Sequence, residues 1–379
     1  MVGKVYFADF RSGSIEDNKG HKIINLFKKA GFESIFEKDE LVSVKLHFGE
    51  RGNDAYINPV FIRYIVDLIK DNGSKPFLTD TNTLYYGNRH NSCDHLENAI
   101  LNGFDYAVAG APLIIADGLT SKNERMVEIN QKHFKKVRIA GDIFDADAMM
   151  VVSHFKGHDL CGFGGALKNL AMGCATIEGK KEQHEMTRPI IGDNCVACGN
   201  CKEACPENCI QIVNSSGNKK EIPSNSRAFI DYPLCIYCLN CLGSCQYGAI
   251  GLDWENEVPL FMEKMMEYAC GALQNKTRKT VYINFLLNIT PHCDCVPWSD
   301  AYLVPDIGIL ASKDPVAIDS ASYDLVNQEI GIKNSLLKKN FGKGEDKFKG
   351  TWNKVDGKIQ MEYAEKIGIG TKKYELIKL

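Results

Sequence analysis

The chain has 379 residues, 44% hydrophobic and 25% charged, with a formal net charge of −3. That balance gives no reason to expect general nucleic-acid or membrane binding, and no apolar run reaches the ~20 residues of a membrane span. The length suits one large α/β unit plus a smaller module.

In chain order, VGKVYFADF and LVSVKLHF (41–48) read as strands, while HKIINLFKKAG (21–31) and PVFIRYIVDLIKDNG (59–73) carry apolar residues at helical spacing. Gly31 and Gly73 read as helix stops. KPFLTD (75–80) is a strand running into a polar loop, CDHLENAILNGF (93–104) a helix, APLIIAD a strand and DAMMVVSHF (147–155) a buried strand. The pattern stops near Arg188 and resumes near Trp254 with a helix at 259–273 and strands at 280–287 and 305–312. A helix follows at 314–330, with Asp314 as N-cap and Pro315 at its first position. This alternation predicts an α/β fold, a mostly parallel sheet with helices on both faces. The domain is built from 1–188 and 255–330 and interrupted by a module at 189–254. Beyond it lies a Lys-rich C-terminal extension, 331–379. Its Lys- and Gly-rich stretch from Gly331 to Ile359 reads as a solvated surface or loose linker, with a docking patch for an acidic partner as the alternative.

The interruption holds eight of the fifteen cysteines in two similar runs. Cys195, Cys198, Cys201 and Cys205 precede Pro206, and Cys235, Cys238, Cys241 and Cys245 repeat the spacing. So many cysteines suit a reducing compartment when most of them bind metal. The opening MVGKVYFADFRSGS lacks a charged-then-apolar signal pattern, so a cytoplasmic location is expected. Three thiolates on a tight loop converge on three corners of one [4Fe–4S] cube, and the fourth comes from the other run. Cys245 then completes the first cluster and Cys205 the second. A third Cys after two residues and a fourth after three more is not zinc spacing. The block resembles a bacterial two-cluster ferredoxin; Gln246 stands where such proteins have a second proline. Cys209 is expected to be a small buried residue.

A free ferredoxin is a stand-alone carrier, whereas an embedded one is held beside something to reduce or oxidise. Three host stretches follow strands of one sheet, and so share an edge where open α/β sheets bind ligands. KLHFGERGN (45–53) offers Lys45 and His47. TDTNTLYYGNRHN (79–91) offers Asp80, Asn82 and Arg89. SHFKGHDLCGFGGALKNLAMGCA (153–175) offers His154, Lys156, His158, Gly162, Gly164, Gly165, Lys168 and Asn169. The glycine amides and a helix start near Ala166 would form an anion-binding nest, the alternative being a glycine-rich turn flanked by surface basic residues. His154, Lys156 and His158 are the candidate catalytic, proton-moving groups, and the remaining residues the candidate cofactor-binding ones. In TPHCDCVPWSD (290–300), His292, Cys293, Asp294 and Cys295 could ligate a metal or supply a reactive thiol, or the cysteines could be buried filler.

The 153–175 stretch, TDTNTLYYGNR and DIGILASKDPVAIDSASYDL together resemble the family called domain of unknown function three-sixty-two, across most of residues 1–330. Many of its members carry a two-cluster ferredoxin insertion, and the Cys293–Cys295 pair is similar to one in those members. The α/β domain is distantly similar to the lactate racemase family, which uses His and Lys around a nickel-pincer cofactor; no motif matches residue by residue, so no role is carried over.

The expected function is that of an iron–sulfur redox protein. Electrons would pass between two [4Fe–4S] clusters and an anionic substrate or organic cofactor, a flavin or deazaflavin, in the cleft. Its partners would be a redox protein or a small-molecule electron donor or acceptor, with no nucleic acid and no membrane. The alternatives are a ferredoxin-like carrier with a docking domain and a non-redox enzyme of the racemase kind. No G-x-G-x-x-G fingerprint follows a strand, so a Rossmann-type NAD site is not expected.

Overall fold

The computed structural model describes residues 2–185, 187–213 and 226–379. The apolar runs become the strands of one eight-stranded sheet: Gly3–Asp9 (β1), Leu41–Lys45 (β2), Lys75–Asp80 (β3), Leu113–Ile115 (β4), Ala148–His154 (β5), Thr280–Leu286 (β6), Gly308–Ser312 (β7) and Tyr374–Lys378 (β8). Their spatial order is β8-β1-β7-β6-β5-β2-β3-β4. Only β7 runs against its neighbours, pairing antiparallel with both β1 and β6. The sheet is therefore mostly parallel, as the βα alternation predicts. Chain order reverses between β2, which leads outward to β3 and β4, and β5, which leads the other way to β6. Open α/β sheets form their ligand crevice at such a switch point.

Helices cover both faces. Lys19–Lys29 (α1) and Pro59–Asp71 (α2) bury Ile23, Leu26, Phe27, Ile62, Ile65 and Ile69 against Val42, Val44, Met150 and Val152. Ser92–Leu101 (α3) lies on the same side through Ala99. The opposite face packs Ala166–Ala171 (α4), Glu257–Leu273 (α6) and Pro315–Gln328 (α7) on Met149, Val151, Tyr282 and Leu310. Successive β5 residues thus point into different cores, which is why all seven are buried and why the strand reads as an unbroken apolar run. Each large side chain buried there stabilises by about 1.5–3 kcal/mol. Ile177–His184 (α5) follows α4 and leads to the cysteine block. The Asp314 carboxylate accepts from Val316 N and Ala317 N at 2.9 Å each, the N-cap its position predicts. No helix among the described residues is long and apolar enough to cross a membrane.

Within 189–254 two small antiparallel pairs form, Ile190–Ile191 with Ile250–Gly251 and Ile210–Val213 with Arg227–Ile230. The cysteine runs repeat in backbone as well as in sequence. Ala197 and Tyr237, Gly199 and Leu239, and Asn208 and Gly248 are equivalent pairs, and all six have positive φ. Each run needs these left-handed turns to aim its sulfurs inward.

The Gly331–Ile359 stretch is not the loose linker expected of it: it carries helix Lys347–Thr351, and beyond it the tail adds helix Lys358–Lys366 and β8, which pairs parallel with β1. Phe348, Val355, Met361 and Ala364 are buried in the main core. The lysines misled because Phe348, Met361 and Ala364 lie on the inward face of short helices, where sparse apolar residues suffice to dock them. Buried Glu267 of α6 accepts from Tyr363 Oη at 2.8 Å, and Trp352 Nε1 donates to Pro291 O at 2.9 Å. The tail therefore braces the loop that carries Cys293.

Candidate functional site

At the switch point β2 ends at Lys45, β3 at Asp80 and β5 at His154, so three functional side chains arise from adjacent strand ends. Lys45 Nζ is buried in a 2.9 Å pair with Asp80 Oδ1 and donates to Asn169 Oδ1 at 2.7 Å. Arg89 Nε lies 3.0 Å from Glu50 Oε2, and its Nη1 lies 3.0 Å from His47 Nε2. Burial first, and then the Arg89 charge, push His47 down to about 3, so its ring is neutral at physiological pH.

After β5 the chain forms a tight hairpin, Lys156–His158 against Gly162–Gly164, before α4. The hairpin and the 290–295 loop lock together: Gly157 N donates to Thr290 O at 2.8 Å, and a Cβ at Gly157 would stand 2.4 Å from Pro291 O. Asp294 is fully buried and holds both sides. Its Oδ1 lies 2.8 Å from His154 Nδ1 and its Oδ2 lies 3.1 Å from Lys156 Nζ. Burial opposes ionisation of Asp294, but the His154 and Lys156 charges outweigh it and hold the carboxyl well below the usual range. His154 Nε2 donates to Leu287 O at 2.8 Å. Both ring nitrogens thus face oxygens that only accept. Neither nitrogen is free to reach a ligand.

These elements enclose a cavity of about 920 Å³. Lys45, His47, Asp80, Arg89, His154, Lys156, His158, Gly164, Gly165, Lys168, Asn169, Cys293 and Cys295 line it. Asn82 does not: its side chain and its backbone N bond the Asp117 carboxylate at 3.0–3.2 Å. Gly162 does not either; at φ +77° it packs against Gly357. The anion nest expected at the start of α4 is already filled. Ala166 N and Leu167 N donate to the two oxygens of Asp319 at 2.8 and 2.9 Å, so no outside anion reaches them. An acidic residue distant in sequence satisfies the helix end, which the local glycine pattern could not reveal.

Three sulfur and nitrogen ligand atoms converge in the cavity wall: those of His158, Cys293 and Cys295 lie within 4.8 Å of one another. Lys168 Nζ donates to Cys293 Sγ at 3.6 Å. A hydrogen bond from Cys295, and then the Lys168 and Lys156 charges against the cost of burial, hold the Cys293 thiol well below its ordinary value. Burial opposes the charge on Lys168, and the two sulfurs outweigh it and push its ammonium up.

Sequence reasoning missed Lys180 and His184 of α5, which also line the cavity. Lys180 Nζ donates to Thr81 Oγ1 at 2.5 Å and Ala175 O at 2.6 Å, and burial pulls its ammonium down to about 8. Its signal, one of two adjacent lysines in the polar helix IEGKKEQH, gives no hint that this face turns inward.

The cysteine runs meet at two smaller hollows. Cys195, Cys198 and Cys201 line one together with Cys245; Cys235, Cys238 and Cys241 line the other together with Cys205. Cys209 joins the second, its Sγ 3.3 Å from Cys205 Sγ. Backbone amides point at sulfur in both runs, Ala228 N to Cys195 at 3.4 Å and Ala249 N to Cys245 at 3.2 Å.

Among curated proteins, the chain is 37% identical over 76 residues to pyruvate synthase subunit PorD of Methanocaldococcus jannaschii, covering 77% of that protein and 20% of this chain. It is 31% identical over 83 residues, 21% of this chain, to NAD(P)H-quinone oxidoreductase subunit I of Gloeobacter violaceus. It is 33% identical over 86 residues, 19% of this chain, to NADH-quinone oxidoreductase subunit I 2 of Streptomyces coelicolor. The chain spans only 38% and 41% of those last two relatives. Among solved structures, the lactate racemase apoprotein of Thermoanaerobacterium thermosaccharolyticum aligns with a TM-score of 0.38 at 12% identity, over 75% of this chain and 51% of that one. A Thermotoga maritima protein aligns with a TM-score of 0.38 at 9% identity, over 73% of this chain and 52% of that one. The family model for domain of unknown function 362 matches residues 42–324, and the chain belongs to that family.

Proposed function

We propose that the protein is an iron–sulfur oxidoreductase exchanging electrons with an anionic substrate or a flavin-like organic cofactor in the cleft. One [4Fe–4S] cluster is held by Cys195, Cys198, Cys201 and Cys245, and the other by Cys205, Cys235, Cys238 and Cys241, within an inserted module at 189–254. The residues fit such groups: each hollow is lined by the four thiols expected of it, with Cys209 a fifth in the second, and backbone amides donate to sulfur. When bound, each cluster supplies one-electron transfer.

The observation that carries the reading is a shared wall. Cys238, Leu239, Asn240, Leu242 and Gly243 of the second cysteine run line the same cavity as Lys45, Lys168, Arg89 and Cys293. A ligand there lies against the loop of a cluster-binding thiol. Charge decides the ligand's sign. Among the described residues Lys45, Arg89 and Lys156 have carboxylate partners in ion pairs, whereas Lys168 and Lys180 have none. An anionic group would satisfy that excess, and the volume suits a cofactor-sized molecule. The relatives, subunits of pyruvate synthase and of quinone oxidoreductases, are in keeping with redox work. A carrier docking a redox protein is the second reading, favoured by Val196 and Tyr247, both 55% exposed at the rim of the first hollow.

The test is to extract small molecules from anaerobically purified, cluster-loaded protein and identify them by optical and mass spectrometry. A bound anionic molecule that is lost in Lys168→Ala with iron content unchanged is the expected result. Clusters with no extractable ligand would favour the carrier, and full retention of the ligand in Lys168→Ala would overturn the site.

A further inference from the structure

We infer that His158, Cys293 and Cys295 form a separate mononuclear metal site for a zinc-like divalent cation, with an open position facing the cleft. Residues from two elements meet here. The hairpin brings His158, the 290–295 loop brings both sulfurs, and the three ligand atoms lie within 4.8 Å of one another. A cation ~2.3 Å from sulfur and ~2.0 Å from imidazole nitrogen fits among atoms so spaced. Two thiolates and one imidazole form a donor set suited to a borderline-soft first-row cation.

The surroundings are those of a built site. The His158 ring is fixed by its neighbours: Leu160 N and Cys161 N donate to its Nδ1 at 3.1 and 3.3 Å, and Asp159 Oδ1 lies 3.1 Å from the same nitrogen. The loop is held from several sides. Buried Asp294, between the two cysteines, is anchored by His154 and Lys156; its carbonyl accepts from Glu50 N at 2.9 Å, and the Cys295 carbonyl accepts from Tyr85 Oη at 3.1 Å. Such anchoring fixes both sulfurs before any cation arrives. Lys168 donates to Cys293 Sγ, as an outer-shell group does to a metal-bound thiolate. These three ligands leave a fourth tetrahedral position, and because all three residues line the 920 Å³ cavity it opens there.

This fixes the ligand class more narrowly and on that point rests on the reading above. Two thiolates neutralise a divalent cation, and Lys168 adds a positive charge beside it. The open position therefore takes an anionic oxygen or thiolate of a small molecule, in reach of the second cysteine run.

The test uses the cluster-loaded protein, produced with added zinc and dialysed. Elemental analysis should find about one zinc per chain beside the iron, and zinc-edge X-ray absorption should show two sulfurs at ~2.3 Å and a nitrogen at ~2.0 Å. Cys293→Ser combined with Cys295→Ser should lose the zinc with iron and labile sulfide unchanged. The site is overturned by zinc at background level, by zinc retained in the double variant, or by a Cys293–Cys295 disulfide in the anaerobic protein, which would mark a redox dithiol instead. Zinc is counted without any extracted ligand. A negative zinc result therefore leaves the extraction test standing, and an empty extract leaves the zinc result standing.

Discussion

The molecule gathers thiols in two regions by opposite means. In the 189–254 stretch the cysteines come from a short local repeat whose left-handed turns recur at equivalent positions, and the nearest help for sulfur is backbone N–H. In the cleft, Cys293 and Cys295 come from a single loop, and the chain itself brings a cation to them, Lys168 at 3.6 Å, with His158 in the same cluster of ligand atoms. Crowded module thiols are unfavourable as anions: burial first, then the neighbouring Cys238 and Cys235, push Cys241 up to about 12. A bound cationic centre would reverse that preference and favour the thiolates. The cleft is different, because the lysine charge there is present before anything binds. On the proposed reading, one region is completed by metal clusters and the other carries its charge before a ligand arrives.

The largest effect should come from breaking the module's crossed geometry. Cys245→Ala should cost about four of about eight irons, and the remaining cluster should have the same electron paramagnetic resonance signature as in Cys198→Ala. A signature matching Cys238→Ala instead would mean that each run holds its own cluster, and the hollows would have been misread.

Next in size is the pin of the cleft. Asp294→Ala leaves His154 and Lys156 buried without their counter-charge, a loss of about 3–5 kcal/mol in chemical unfolding. The Asp294 carboxyl is depressed, so its contribution is present above the unfolded value of about 3.9 and is lost only as pH falls into strong acid. The variant should therefore show a flatter acid limb. An unchanged midpoint would mean that the loop does not depend on this pin and that Cys293 and Cys295 are held by packing alone.

The same contrast explains what the sequence made legible. The sheet class and the helices are written locally, in period and caps. The cleft's membership was legible where strand ends carry it, at Lys45, Asp80 and His154, and in the polar loop after β3 at Arg89. Which groups are free within it was not, because that depends on partners far away in sequence. Asp294 ties up His154, Asp319 fills the start of α4, and Asp117 holds Asn82. Lys180 was hidden for the same reason. The tail was misjudged because its lysines are numerous, while the few residues that dock it, Trp352, Met361 and Tyr363, are spread through them.

Asp319 offers a smaller effect with a sign that can be checked. Burial raises its carboxyl to about 6 despite the Leu167 and Ala166 amides and Asn284. A raised acid binds its proton more tightly folded than unfolded, so its contribution is largest below about pH 3.9 and is lost as pH rises through about 6. Asp319→Asn should remove that slope, a difference on the order of 2–3 kcal/mol between the ends of the window. If stability of the variant and the parent run parallel from pH 4 to 7, the carboxylate is ionised throughout and the closed α4 start is stronger than its burial implies.

The smallest effect serves to separate host stability from thiol chemistry. Asn18 caps α1, its Oδ1 accepting from His21 N at 3.0 Å, and α1 packs on the sheet face that the helix α4 does not touch. Asn18→Ala should cost about 0.5–2 kcal/mol. Because no cysteine of either thiol region belongs to the core cluster that α1 joins, iron content and zinc retention should both stay at parental values. A loss of iron in this variant would show that the module reads the stability of the whole host and that cluster counts in the other variants report unfolding. Unchanged metals with the expected drop in midpoint would show that metal loss in Cys245→Ala or in the Cys293/Cys295 double variant arises at the thiols themselves.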